Sequence, residues 1–345
     1  MARLVYQLLI GFILFTLLTG CQRETTPETL KFAGQTMGTT WSVIMRPGSA
    51  EVDGVVLQQR LQQRLDQINR LMSTYDPVSE LSRFNRLVST DWYPVSEDTA
   101  RVIAVSQEVS ALSGGAFDIS VGPLVELWGF GAAQRKESIP TQEQISHNLA
   151  RVGYKNIELR KEPTAIRKHI PELQIDLSAV AKGYAVDALA EILEQQGFSN
   201  YLLEIGGELR ISGQRGDGNP WQIAIEKPLE GEREVAAIFP LTNTALATSG
   251  NYRNFFLENG QRYSHTIDPV SGKPVRHKLA SVTVLDETCA RADALATALM
   301  VMGEEKGRQL CEENHIAAYF LIHEKTSTTV YASPAFELFL KEVEI

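Results

Sequence analysis

Ser178–Gln196 (SAVAKGYAVDALAEILEQQ) runs into Gly197. The chain then passes through Tyr201–Ile205 (YLLEI), Leu209–Gly213 (LRISG), Trp221–Glu226 (WQIAIE) and Val235–Leu241 (VAAIFPL). The first segment is apolar at helical spacing and is stopped by a glycine. The next four read as strands. Strands in consecutive runs, with helices set between the runs, predict an α+β fold with a mixed or antiparallel sheet and flanking helices. Two intertwined subdomains are expected.

Working outward, Leu30–Met45 alternates apolar and polar residues around Gly38-Thr39-Thr40 and reads as a strand or hairpin. Val55, Leu57, Leu61, Leu65, Ile68 and Met72 recur at helical spacing. Ser96 is an N-cap for a helix ending near Gly114-Gly115, and Thr141 caps a short helix reaching Val152. Ala280–Leu285 reads as a strand. Cys289–Met302 is helical and ends at Gly303; a second helix runs to about Asn314, then strands through Tyr331 and a terminal helix. No repeat or low-complexity segment interrupts this order.

The N-terminus reads as an export signal. Arg3 precedes the apolar run Leu8–Leu18, and Leu18-Thr19-Gly20 leads into Cys21. The pattern resembles a bacterial lipoprotein signal, with residues 1–20 removed, Cys21 lipidated, a tether over residues 21–29 and one folded region over 30–345. Gln22 leans towards the outer membrane. The 345-residue chain carries a formal charge of −9, and an acidic chain with no basic block is a poor partner for nucleic acid. Besides Cys21 there are only Cys289 and Cys311, too few for a disulfide framework. No Cys/His cluster has zinc spacing.

Several segments carry chemistry-bearing residues. Tyr263-Ser264-His265-Thr266-Ile267-Asp268-Pro269 packs hydroxyls, an imidazole and a carboxylate before a turn at Ser271-Gly272. His265 could move a proton near neutral pH; it could equally be a surface group on a strand end. Asp293 and Thr297 lie four apart on a helix and share a face, and their hard oxygens suit Mg²⁺. Asp176–Gly183 passes from an extended stretch into a helix whose free N–H groups can receive phosphate, with Lys182 adding a cation. Ser113–Asp118 makes a glycine turn beside Phe117. Met37 and Tyr75 could contact a planar ligand. There is no P-loop, no strand–GxGxxG–helix and no GxSxG elbow, so the chain is neither Rossmann nor P-loop.

In order and in register, Gly34–Trp41, Met72–Asn85, Gly114–Pro123, Asp176–Ala185, Glu204–Gly213, Ala247–Asn251, Ser264–Pro269 and Ala292–Gly303 resemble the ApbE family. These are Mg²⁺-dependent FAD:protein FMN transferases, often exported lipoproteins. The resemblance implies an ApbE-like fold and transfer of FMN from FAD to a Thr or Ser of an acceptor protein, releasing AMP. It puts Met37, Tyr75, Ala116, Phe117, Asp118, Asp176, Lys182 and Ile267 at FAD. It puts Ala179 (through its carbonyl), Asp293 and Thr297 at Mg²⁺, and His265 at proton transfer, with Asp268 a candidate to orient the imidazole. Lys182 stands where some members carry Glu. The implied acceptors are exported flavoprotein subunits of Nqr- and Rnf-type redox complexes. An FAD pyrophosphatase and a non-catalytic FAD-binding lipoprotein remain as alternatives.

Overall fold

The computed structural model describes residues 29–48, 52–131, 139–228, 234–252, 254–324 and 327–343. The signal, Cys21 and the tether up to Glu28 lie outside the described residues.

Eight strands form the main sheet: β1 (Leu30–Thr36), β2 (Thr39–Met45), β3 (Tyr201–Ile205), β4 (Glu208–Ser212), β5 (Thr244–Gly250), β6 (Leu279–Asp286), β7 (Ala317–His323) and β8 (Thr328–Ala332). Each pairs antiparallel with the next, so spatial order is chain order. Of the two sheet types expected, the antiparallel one forms. Of the eight helices of the described residues, seven lie between strands of the sheet, α1 (Gly54–Met72), α2 (Glu80–Arg86), α3 (Glu97–Leu112), α4 (Gly122–Leu127), α5 (Gln142–Leu149), α6 (Ala181–Gln195) and α7 (Cys289–Asn314), and α8 (Pro334–Val343) follows β8.

Local chemistry explains the boundaries. Asp53 caps α1, and Leu57, Leu61, Leu65, Ile68 and Met72 are its buried stripe. Val55 belongs to that stripe by spacing but stays exposed in the first turn. Ser96 caps α3 through the Thr99 N–H, and Thr141 forms a reciprocal capping box with Gln144 on α5. The helix expected from Ser178 starts at Ala181. Asp176 Oδ1 accepts from Ser178 N (2.8 Å) and Oγ (2.5 Å), which holds the first residues in an Asx turn. Within α7, Gly303 (φ 76°, ψ −177°) breaks the helix where expected.

The sheet separates two cores. On one face Trp41, Val43, Met45, Leu203, Val282 and Phe320 pack against α1, α6 and α7, and α3 lies on α7 and α1. Truncating Trp41, 1% exposed, would cost ~3–5 kcal/mol. The opposite face packs Leu209, Ile211, Leu246 and Tyr319 against a hairpin of Trp221–Glu226 with Val235–Leu241 and against Phe336 of α8. Gly213–Gly218 therefore crosses between sheets; it does not close a hairpin of its flanking strands, because those strands pair with other partners.

A third, smaller core stands apart. Leu124 and Trp128, at and after α4, and Ile145 of α5 meet Tyr263 and Ile267 from the excursion between β5 and β6. Trp128, Tyr263, Phe256 and Phe130 stack in sequence, with ring centroids 5.7, 5.0 and 5.5 Å apart. Trp128 Nε1 donates to the Gly272 carbonyl at 2.8 Å.

Candidate active site

A cavity of about 840 Å³ opens between the small core and the ends of β3–β5, α6 and α7. Its volume is that of a small-molecule or cofactor site.

One wall belongs to the main core. Asp293 and Thr297 project from one face of α7, and Ala179 lies in the turn before α6; all three line the cavity. Asp293 is 4% exposed, and its Oδ2 accepts from the Gly183 N–H at 3.1 Å. That bond needs α6 and α7 nearly touching: a Cβ on Gly183 would lie 2.3 Å from the Cys289 carbonyl oxygen. Lys182 Nζ sits 2.5 Å from Glu208 Oε1 and 3.9 Å from Asp293 Oδ2. Burial pulls the lysine down, but the Asp293 and Glu208 charges outweigh it and hold Lys182 above its ordinary value. Burial raises Asp293 above the usual carboxylate range against the opposing Lys182 charge. Burial also lifts Glu208 to about 7, Lys182 opposing and Asp293 adding.

Two buried carboxylates thus share one ammonium, and Glu208 Oε2 is buried without a hydrogen-bond partner. Thr297 Oγ1 lies 3.3 Å from Ser249 Oγ, which also lines the cavity. A carboxylate, hydroxyls and a backbone carbonyl in a site short of positive charge fit a hard divalent cation. Among the described residues no group of three or more His, Cys, Asp or Glu could hold a metal; here only one donor of the set is of those types.

Another wall belongs to the small core. His265 is half-buried, its Nδ1 3.1 Å from the Asn254 carbonyl and its ring edge-on to Phe130. With Nδ1–H donating to that carbonyl, Nε2 is left bare. Burial pulls the imidazole below its usual 6.5; the Asn254 bond opposes this and the Lys182 charge adds to it. Asp268 does not orient the ring. Its carboxylate accepts from Val270 N (2.9 Å) and Ser271 N (3.3 Å), and its carbonyl from Gly272 N (2.8 Å), so the turn occupies it.

The remaining expected contacts divide. Tyr75 stands at the rim, 68% exposed. Burial, then Asp176 and Glu126, raise its phenol. Asp176 and Ala116 line the cavity, as does Ile267, which is anchored in the small core. Phe117 contributes to the wall, yet its ring is 2% exposed in the main core and offers no open stacking face. Asp118 is tied to Ser120 and to the Tyr154 N–H, and burial raises its carboxyl. Met37 is not brought to the cavity lining. It occupies the tight β1–β2 turn at φ 48° and packs on the main core, while Thr39 and Thr40 line the cavity. Sequence reading assigned no role to Glu208, Ser249, Asn254 or Phe130. For Glu208 a signal existed: alternation along β4 sets Glu208 and Arg210 opposite apolar Leu209 and Ile211, towards α6.

Cys289 and Cys311 are both buried and free, in the two halves of α7.

Comparison with known proteins identifies the family. The model of the ApbE family matches residues 37–320. An FAD:protein FMN transferase of Vibrio cholerae is 43% identical over 336 residues, covering 97% of this chain and 99% of its own length. That of Escherichia coli K12 is 40% identical over 329 residues, covering 93% of each chain. The solved structure of flavin transferase ApbE from Vibrio cholerae superposes with a TM-score of 0.85 at 42% identity, over 91% of this chain and 99% of that one. The apo Pseudomonas stutzeri flavinyl transferase ApbE gives 0.84 at 39% identity, over 91% and 97%. With a match spanning most of the chain and the same fold carrying the cavity, this protein belongs to the ApbE family.

Proposed function

We propose that this chain is a Mg²⁺-dependent FAD:protein FMN transferase that joins FMN through its phosphate to a Thr or Ser hydroxyl of an exported flavoprotein and releases AMP. The observation that carries the reading is that the Asp293 and Thr297 oxygens and the imidazole of His265 line one and the same cavity. The names of the relatives support the reaction class.

Asp293, Thr297 and the Ala179 carbonyl would hold the ion. When bound it offsets pyrophosphate charge and favours departure of AMP. Lys182 brings a fixed positive charge to the same wall. His265, held by Asn254, presents Nε2 to accept the proton of the acceptor hydroxyl. The new bond joins that hydroxyl oxygen to the FMN-side phosphorus. The bond to the AMP oxygen breaks, and AMP leaves with the electron pair. Acceptors of the Nqr and Rnf complex type, and lipid anchoring at Cys21 on the periplasmic side of a membrane, complete the proposal; they rest on the family resemblance and the Leu18–Cys21 signal.

The test incubates the soluble chain with FAD, Mg²⁺ and a candidate acceptor, and reads products by mass spectrometry. An acceptor heavier by FMN, together with AMP, is expected. Free FMN and AMP with unmodified acceptor would instead make the chain a pyrophosphatase, and intact FAD would make it a binder. Loss of palmitate labelling on Cys21→Ser would support the anchor; unchanged labelling would refute it.

A further inference from the structure

The first half of α7 carries both proposed ligands, yet it lacks caps of its own. Thr288, at its N-terminus, makes no side-chain capping bond. At the other end Gly303 breaks the helix and frees carbonyls of the preceding turn. Side chains from elsewhere fill both ends. Asp187, on α6, accepts from Cys289 N through Oδ1 (3.0 Å) and from Ala290 N through Oδ2 (2.9 Å). Arg210 of β4 fixes that carboxylate from behind at 2.8 Å and also reaches Glu194 at 3.3 Å. His277, just before β6, lies with Nε2 2.6 Å from the Met300 carbonyl, and its ring fills the space beside Gly303. Its Nδ1 faces Glu304 Oε2 across 4.0 Å.

We infer that Asp187 and His277 are positioning residues that clamp the two ends of the Cys289–Met302 segment and so set the place of Asp293 and Thr297 for the cation. The argument is geometric. Asp293 is one turn beyond the Asp187 clamp, and Thr297 is one turn before the carbonyl held by His277. Asp187 lies four residues after Gly183 on the same face of α6, and the Gly183 N–H holds Asp293 Oδ2. One helix face therefore fixes the start of α7 and the ligand carboxylate together. The negative Asp187 also complements the positive end of the α7 dipole. Groups that orient metal ligands in this indirect way commonly govern affinity by tenfold to a hundredfold, roughly.

The experiment measures Mn²⁺ binding by electron paramagnetic resonance in the soluble chain, and FAD binding separately in EDTA. Asp187→Asn, Asp187→Ala and His277→Ala are each expected to weaken Mn²⁺ binding about tenfold or more, with Asp187→Asn the mildest because it keeps one acceptor oxygen. FAD binding in EDTA should stay within about twofold. Leu61→Ala in α1 is a control for general destabilisation and should leave Mn²⁺ affinity unchanged. Folded variants that bind Mn²⁺ like the parent chain overturn the inference. If neither Asp187 variant folds, His277→Ala decides alone by the same criterion. The inference rests on Asp293 and Thr297 being ligands, and Asp293→Ala tests that separately. Unchanged Mn²⁺ binding there removes the ligand reading. Lost binding there with full binding in Asp187→Asn and His277→Ala removes only the positioning role.

Discussion

The two walls of the cavity are built on different foundations. The wall of Lys182, Asp293 and Thr297 is continuous with the main core: α6 and α7 lie against the sheet and touch across Gly183. The wall of His265 and Ile267 stands on a separate core of a few aromatic side chains, tied down by bonds such as Trp128 to the Gly272 carbonyl. Burial raises carboxylates on the first wall and lowers the imidazole on the second, so one physical cause pushes both groups towards their neutral forms. On the deep wall, a change at the α6–α7 contact should move binding geometry and stability together. On the shallow wall, proton transfer should be separable from both.

Asp293→Ala is the largest break. It should remove several kcal/mol of charge stabilisation, a transfer loss upwards of about 10³-fold, and abolish Mn²⁺ binding. Full activity would sink the assignment of the deep wall. His265→Ala should reduce transfer about a hundred- to thousandfold while FAD affinity and the melting temperature hold. A matching fall in stability would mean that the walls are not independent.

The same residue should set the acid limb of the rate. A base with its pKa lowered by burial stays neutral further into acid, so kcat/KM should decline only as pH falls through a value below 6.5. His265→Gln should lack that limb, and a limb that persisted would belong to another group. Gly183→Ala sharpens the contrast from the other side. Its methyl would collide with the Cys289 carbonyl, so it should cost ~1–3 kcal/mol in denaturant melts and weaken Mn²⁺ binding together. Trp128→Phe is the mildest change. Losing the bond to Gly272 should cost about 1 kcal/mol at most and slow transfer without touching metal affinity.

Much of this molecule could be read from its residues. The α1 stripe, the caps at Ser96 and Thr141 and the break at Gly303 are local signals, and local signals survive folding. β5 escaped because Thr244–Gly250 (TALATSG) contains almost no large β-formers; it is small because α7 packs closely over it. That Asp293 and Thr297 share one helix face was legible from their spacing, while their assignment to a metal came only with the family resemblance. The Glu208–Lys182 pair was not legible, since it joins a strand to a helix 26 positions away in the chain. Asp268 misled by adjacency: neighbours in sequence at a turn point to different tasks, and the partner of His265 is a carbonyl eleven residues upstream. Met37 takes φ 48° in the β1–β2 turn and packs on the main core, a conformation that its place in the sequence does not announce.

The two free thiols have a practical consequence. Burial, helped by the nearby Asp187 charge, pushes Cys289 well above the usual thiol range, and burial takes Cys311 to about 12. Thiolates are therefore scarce, and in the native molecule neither sulfur should react with an alkylating probe. One sits at the clamped start of α7 and the other beyond its break. In the chain lacking Cys21, their separate labelling rates become a pair of built-in clocks, timing how often each half of the helix comes loose. Mg²⁺ should slow the clock at Cys289 and leave the one at Cys311 running.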